Sequence, residues 1–163
     1  MTDNPTTPTY AALSVPPETG NGYPDAYARS SAARIKRKLG NHGGIGNFGV
    51  NHVTLPAGCQ SALRHWHTRQ DEFVMVLTGE LVLQTDAGER VLRAGDCAAF
   101  PKGTGDGHAL QNRSDAEATY LEIGDRTEGD EVDYSDIDMA VRWIDGAEYF
   151  VRRSDGSVIQ KAE

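Results

Sequence analysis

From Phe48 to Gly124 the chain is cut into short pieces by turn residues at close intervals, which leaves room for strands but not for a helix of ordinary length. The segment EFVMVLTGELVLQTDAGERVLRAGDCAAFPKG carries the pattern most clearly. Its β-rich pieces are separated by Thr78-Gly79, Asp86-Ala87-Gly88, Ala94-Gly95-Asp96 and Lys102-Gly103. FGVNHVTLPAG before it, and HALQN and EATYLEIG after it, read as further strands. Short strands at such spacing predict an all-β barrel or sandwich. No internal repeat is visible, so one barrel is expected.

The ends of the chain read differently. Residues 1–24 are rich in Pro, Thr, Asn and Gly and are expected to form a flexible tail. Residues 25–163 are expected to form one domain with its motif core at 47–124. Residues 25–39 read as one short helix or an extended arm, stopped by Gly40, and NHGGIGN as a turn-rich loop. After Gly124 the chain is acidic and loop-like. It closes with two strand-like pieces, EYFVRR and GSVIQ, around Ser154-Asp155-Gly156.

Composition restricts the partners. The 163 residues carry a formal charge of −8, which a nucleic-acid backbone or an anionic membrane would repel. No apolar run approaches the roughly eighteen residues of a bilayer span, and the N-terminus lacks the basic and apolar regions of a signal peptide. A cytoplasmic protein is expected. Neither Cys59 nor Cys97 belongs to a CxxC pair, and Cys97, in DCAAF, reads as a buried free thiol.

Within this β-rich frame, RHWHTRQDEF places His65, His67 and Glu72 close together, and His108 follows in FPKGTGDGHALQN. Three imidazoles and a carboxylate are a first-row transition-metal ligand set, and a mixed N/O set of this kind leaves positions open more often than a thiolate cage does. Residues two apart share a strand face, so His65 and His67 point the same way. The turn Thr68–Asp71 then suggests a hairpin that returns Glu72 beside them. The apolar run Phe73–Leu77 reads as a strand buried on both faces. His108 opens a later strand with Asn112 on the same face.

These residues carry a family resemblance. Gly58-x6-His65-x-His67-x4-Glu72-x6-Gly79 resembles the first motif of the cupin superfamily, and Gly95-x5-Pro101-x-Gly103-x4-His108-x3-Asn112 resembles the second. The likeness spans about 55 residues directly, and flanking segments look like a branch of small single-domain bacterial cupins. Two spacings depart from the usual pattern: Gly58 to His65 is one residue longer, and Gly103 to His108 two longer. Both lie in turns, where insertions are tolerated.

The resemblance implies a cupin-type β-barrel or jelly roll with an N-terminal arm. It also implies a divalent metal ion, Fe, Mn, Ni or Zn, held by His65, His67, Glu72 and His108. The chemistry implied is that of a metal-dependent enzyme acting on a small oxygenated substrate, by sugar-phosphate isomerase-like, dioxygenase or lyase steps. The alternative is a non-catalytic metal- or small-ligand-binding module or sensor. No general base beyond the ligands is evident.

Asn112 and Lys102 are candidate pocket residues, and Asp106 flanks the same loop. Arg64 and Trp66 are expected to pack on the face opposite the ligands, Tyr120 to pack in the core, and His42 and His52 to be surface or satisfied. The basic run Arg34, Lys36, Arg37 and Lys38 reads as a solvated face; its other reading is a grip on an acidic ligand or a partner subunit. The arm and the doubly apolar strand together suggest a homodimer.

Overall fold

A computed structural model describes residues 8–162. Its strands, in chain order, are β1 (Glu18–Thr19), β2 (Ile35–Arg37), β3 (Phe48–Leu55), β4 (His65–His67), β5 (Glu72–Thr78), β6 (Glu80–Thr85) and β7 (Gly88–Arg93). They continue with β8 (Cys97–Phe100), β9 (Ala109–Gln111), β10 (Ala118–Asp125), β11 (Val132–Tyr134), β12 (Ala140–Ile144), β13 (Ala147–Val151) and β14 (Val158–Lys161). The one α-helix among the described residues, α1 (Leu39–His42), is a single turn.

The strands form three antiparallel sheets, ordered β1-β2-β3-β10-β5-β8, β14-β13-β12-β11-β4 and β7-β6-β9. The fold is a cupin-type jelly roll, but its sheets do not join into one continuous hydrogen-bonded barrel. The main core lies between the six-stranded and three-stranded sheets. Alternate residues of β3, β5 and β10 (Val53 and Leu55, Val74 and Val76, Ala118 and Tyr120) meet Leu81, Leu92 and Leu110 from the other side. A second cluster, Tyr134, Met139, Val141 and Phe150, fills the five-stranded sheet's inner face and is covered by Tyr23 and Tyr27 from the N-terminal arm.

Several expectations change. The hairpin between the His pair and Glu72 does not form: β4 pairs with β11, whereas β5 pairs with β10 and β8. Strand β5 is buried on one face only. Val74 and Val76 are buried, while Phe73 and Met75 are half-buried and Leu77 is exposed. Cys97 lies on that outer face and is exposed; Cys59 is the buried thiol, and both are free. DCAAF contains a strand, β8, and the alternation of a sheet with an open outer side turns Cys97 outward.

Residues 25–39 hold a short 3-10 turn (Ala28–Ser31) and β2 rather than one helix, and Gly40 sits inside α1. Residues 1–7 of the expected tail lie outside the described residues. The rest of it is tied down: Val15 is buried and β1 pairs with β2. The acidic region after Gly124 contains β11 and β12, which the loop reading passed over. The two closing strands and their turn lie where expected.

Candidate metal centre

Each of the three sheets delivers part of one cluster. β4 supplies His65 and His67, β5 supplies Glu72 as its first residue, and His108 immediately precedes β9. The main chains of His65 and His108 bond reciprocally, with His108 N–H donating to the His65 carbonyl at 2.9 Å and the reverse bond at 3.2 Å. This bridge fixes the two rings side by side. It requires close approach of the chain at Gly107, where a Cβ would overlap Ser135 Oγ.

The imidazole Nε2 atoms converge on Glu72 Oε2, at 2.9 Å for His108, 3.4 Å for His67 and 3.9 Å for His65. Ligand atoms of His65, His67 and Glu72 all lie within 4.8 Å of one another. Glu72 Oε2 is buried and has no hydrogen-bond donor, although His108 Nε2 lies 2.9 Å away. A buried carboxylate oxygen without a donor is costly. A cation satisfies it, and the residues therefore fit a divalent metal.

The outer nitrogens prepare the rings for that role. His65 Nδ1 bonds to the Leu63 carbonyl at 2.7 Å, and His67 Nδ1 to Asp130 Oδ2 at 2.5 Å. With the proton held at Nδ1, the Nε2 lone pair of each ring is free to face the cavity. The His108 ring instead stacks on Phe100, with centroids 3.6 Å apart and planes parallel. Asp130 is itself fixed by the N–H groups of Arg69 and Gln70 on Oδ1. These bonds also hold the turn that separates β4 from β5.

Charge follows from these contacts. Burial pushes the His65 pKa down to about 4, against the attraction of Glu72. Burial would raise Glu72, but His108 beside it and the charge that the other two rings can carry hold it at about 2. Burial also opposes a charged His67, yet the bond to Asp130 more than offsets this and its pKa is raised.

A second carboxylate was not foreseen. Glu122 on β10 lines the same cavity, of about 30 Å³, as His65, Glu72 and His108. Its Oε1 accepts from Lys36 Nζ at 2.8 Å and Asn51 Nδ2 at 3.0 Å. Burial disfavours its charge, but the Lys36 ammonium prevails and lowers its pKa. Only alternation along EATYLEIG could have pointed Glu122 inward with Tyr120. Asp130, in an acidic loop, had no distinguishing sequence signal.

The other candidates are elsewhere. Asn112 is buried, but its amide is spent on main chain and Ser114. Nδ2 donates to the Leu55 and Ala116 carbonyls at 2.7 and 2.8 Å, and Oδ1 accepts from Ser114 N and Oγ. It staples β9 to the end of β3 and does not line the metal cavity. Lys102 is exposed; its N–H donates to Asp71 Oδ1, so Asp71 caps this turn. Asp106 accepts from the Asp86 N–H. Arg64 does more than pack, pairing with Asp136 at 2.8 Å and with Asp86. Tyr120 is a core residue, as expected, and His42 is exposed; His52 is half-buried, with Nδ1 unpartnered. The basic run is not a solvated face, because β2 alternation turns Lys36 inward to Glu122.

Comparison with known proteins agrees with this architecture. The family described as "Cupin domain" matches residues 51–124. A crystal structure from Silicibacter pomeroyi, described as a sugar phosphate isomerase from a cupin superfamily, is 42% identical with a TM-score of 0.87; the match covers 91% of this chain and 95% of that one. A putative sugar phosphate isomerase from Acidithiobacillus ferrooxidans is 26% identical with a TM-score of 0.72, covering 79% and 82%. A predicted oxalate decarboxylase from Thermotoga maritima, 16% identical with a TM-score of 0.59 over 73% and 99%, shares the fold. No curated protein matches the chain. On the two motifs, the jelly roll and the likeness to the Silicibacter protein across nearly the whole chain, this protein belongs to the cupin superfamily.

Proposed function

We propose that the protein is a metal-dependent isomerase of a small sugar phosphate. His65, His67, Glu72 and His108 would hold one divalent ion, Fe, Mn, Ni or Zn. When bound, that ion supplies Lewis-acid polarisation of a substrate carbonyl.

The observation that carries the reading is the second carboxylate. Isomerisation of an aldose to a ketose moves a proton between adjacent carbons, so it needs a base that is not spent on the metal. Glu122 is ionised by Lys36 and lines the same cavity as the ligands. Its carboxylate takes the proton from the carbon beside the carbonyl and returns it to the former carbonyl carbon, while the proton of the hydroxyl on the first of these carbons passes to the former carbonyl oxygen. Lys36 and Asn51 keep Glu122 Oε1 in place, and Oε2, which accepts a long bond of 3.4 Å from the Tyr120 hydroxyl, makes the transfer. The description of the 42% identical Silicibacter protein supports the same substrate class. Among the described residues, dioxygenase and lyase chemistry find no comparable feature.

The test is elemental analysis of the purified protein, followed by incubation with a panel of aldose phosphates in deuterium oxide, read by NMR. We expect stoichiometric metal and deuterium at the carbon beside the carbonyl, with both aldose and ketose present. Metal with tight ligand binding but no exchange or turnover across the panel would favour the binding module or sensor instead.

Pairing of two copies through the outer face of the six-stranded sheet belongs to the same reading, supported by the apolar row Phe73, Met75, Leu77, Leu121 and Ile123. Two unpaired cysteines suit a reducing compartment such as the cytoplasm. No helix among the described residues is long and apolar enough to cross a membrane.

A further inference from the structure

Glu72 and Glu122 border a second space besides the metal cavity. It is a polar vestibule of about 200 Å³ where β3 begins and β10 ends, rimmed by Lys36, Lys38, Asn41 and Arg126. Between this rim and Glu72 the wall is bare. Gly49 on β3 and Gly124 on β10 stand opposite each other in register, and Gly124 is also opposite Glu72 on β5. A Cβ on Gly124 would meet Glu72 Cγ at 3.7 Å, and one on Gly49 would meet the Gly124 carbonyl at 3.7 Å and the Arg126 guanidinium at 3.8 Å. Neither glycine has a positive φ. The backbone would accept a side chain at either position, and a larger one would fill the passage. The two glycines keep a path open from the rim to the metal ligands.

The rim carries three cations, Lys36, Lys38 and Arg126. Lys36 is neutralised by Glu122. Arg126 donates to Asn41 Oδ1 and to the Ile45 and Gly46 carbonyls, and among the described residues no carboxylate pairs with it. Lys38 pairs with Glu18, but both are exposed and such a pair is weak and exchangeable. Three carboxylates border the space: Glu122 is taken by Lys36, Glu72 faces the histidine cluster, and the third is Asp125. Its carboxylate is occupied by the N–H groups of Asp71 and Thr127. Two cations without a buried carboxylate partner, Lys38 and Arg126, therefore stand at the entrance to the candidate metal site. Two such donors lining one space favour a small anion.

We infer that this vestibule binds a phosphate monoester dianion, with Lys38 and Arg126 holding the phosphoryl group. Two cations match the dianion. The carbon chain of the ester would then extend between Gly49 and Gly124 toward Glu72. That last step rests on the isomerase reading; the anion site itself does not.

The test is isothermal titration calorimetry on the full chain as purified, with inorganic phosphate as the probe and ribose 5-phosphate and ribose as competitors. Saturable phosphate binding is expected, displaced by ribose 5-phosphate but not by ribose. Lys38→Glu and Arg126→Gln are each expected to weaken it by about tenfold or more, since each removes a charged hydrogen-bond donor. Lys38 is exposed, so its variant will fold, and thermal melting checks both. Absence of saturable binding, or binding unchanged in both variants, overturns the assignment. Phosphate binding lost in His108→Ala but retained in Lys38→Glu places the anion on the metal and also overturns it. Failure of ribose 5-phosphate to compete assigns the site to free phosphate and overturns the ester. Metal content is read on the same samples: phosphate binding without stoichiometric metal sinks the isomerase reading and leaves the vestibule standing.

Discussion

Asp130 decides which nitrogen of His67 faces the cavity. Its Oδ2 accepts a hydrogen bond from Nδ1–H, and its Oδ1 is pinned by two main-chain N–H groups. Asp130→Asn keeps the shape and removes the charge. With metal present, affinity for the ion should fall by about 10- to 100-fold, measured by competition with a chromogenic chelator. In chelated protein the same variant has a pH signature. The folded pKa of His67 lies above its ordinary 6.5, so the pair's contribution is complete below 6.5 and is lost as pH rises through the folded value. Burial opposes the Asp130 charge, but the His67 bond prevails and its pKa lies below 3.8; that contribution is lost as pH falls through the folded value. The advantage of wild type over Asp130→Asn in urea unfolding should therefore be greatest between pH 3.8 and 6.5 and shrink on either side. The depressed pKa of His65 works in the opposite sense, but it is common to both proteins and cancels. A difference that does not vary with pH would show that the pair is not ionic. All four metal-ligand candidates were legible in the sequence, because residue type and spacing suffice to mark them. Asp130 and Glu122 were not, because each acts through a partner more than sixty residues away in the chain, or on a face that only register reveals.

At the level of elements, the site depends on strands from different sheets meeting end to end. Turn signals located most strands correctly, since Gly and Asp mark chain reversals locally. Pairing was less legible. The short loop from His67 to Glu72 looked like a hairpin, yet β4 finds its partner in β11, and the three main-chain bonds to Asp130 and Glu131 fold the loop between sheets. The β5–β6 connection at Gly79 is the opposite case, where a local signal marks the break between strands of two sheets. Gly79 has φ +75°, and a Cβ there would lie 2.9 Å from Ala118 Cβ and 3.1 Å from the Glu117 carbonyl. Gly79→Ala would force a left-handed alanine against the start of β10, which is fully buried at Ala118. We expect a loss of about 2–4 kcal/mol and a Tm lower by roughly 5–15 °C, read by circular dichroism. Metal content per folded chain should be unchanged, because β10 meets Glu72 at its other end. A Tm within a degree or two of wild type would mean that the turn relaxes.

For the whole molecule, the open outer face of the six-stranded sheet is the feature that one chain leaves unresolved. The doubly apolar run Phe73–Leu77 suggested burial on both sides; in the single chain the outer side is half-exposed. Next to it, on β10, stand Leu121 and Ile123, and across β10 the β3 residue Val50 lies opposite Ile123. A row of apolar side chains spanning three adjacent strands is more than the scattered exposure of a monomer surface. A second copy laid on the same face would complete the burial that the sequence pattern implies, and a symmetric pair needs no other partner. Light scattering should then give twice the 17.7 kDa of one chain. Met75→Asp places a carboxylate at the centre of this face while leaving the inward residues Val74 and Val76 untouched. That variant should elute as a folded 17.7 kDa species that keeps its metal. Wild type already at the single-chain mass would mean that the outer face is tolerated in water, and that the apolar alternation of β5 serves the sheet alone.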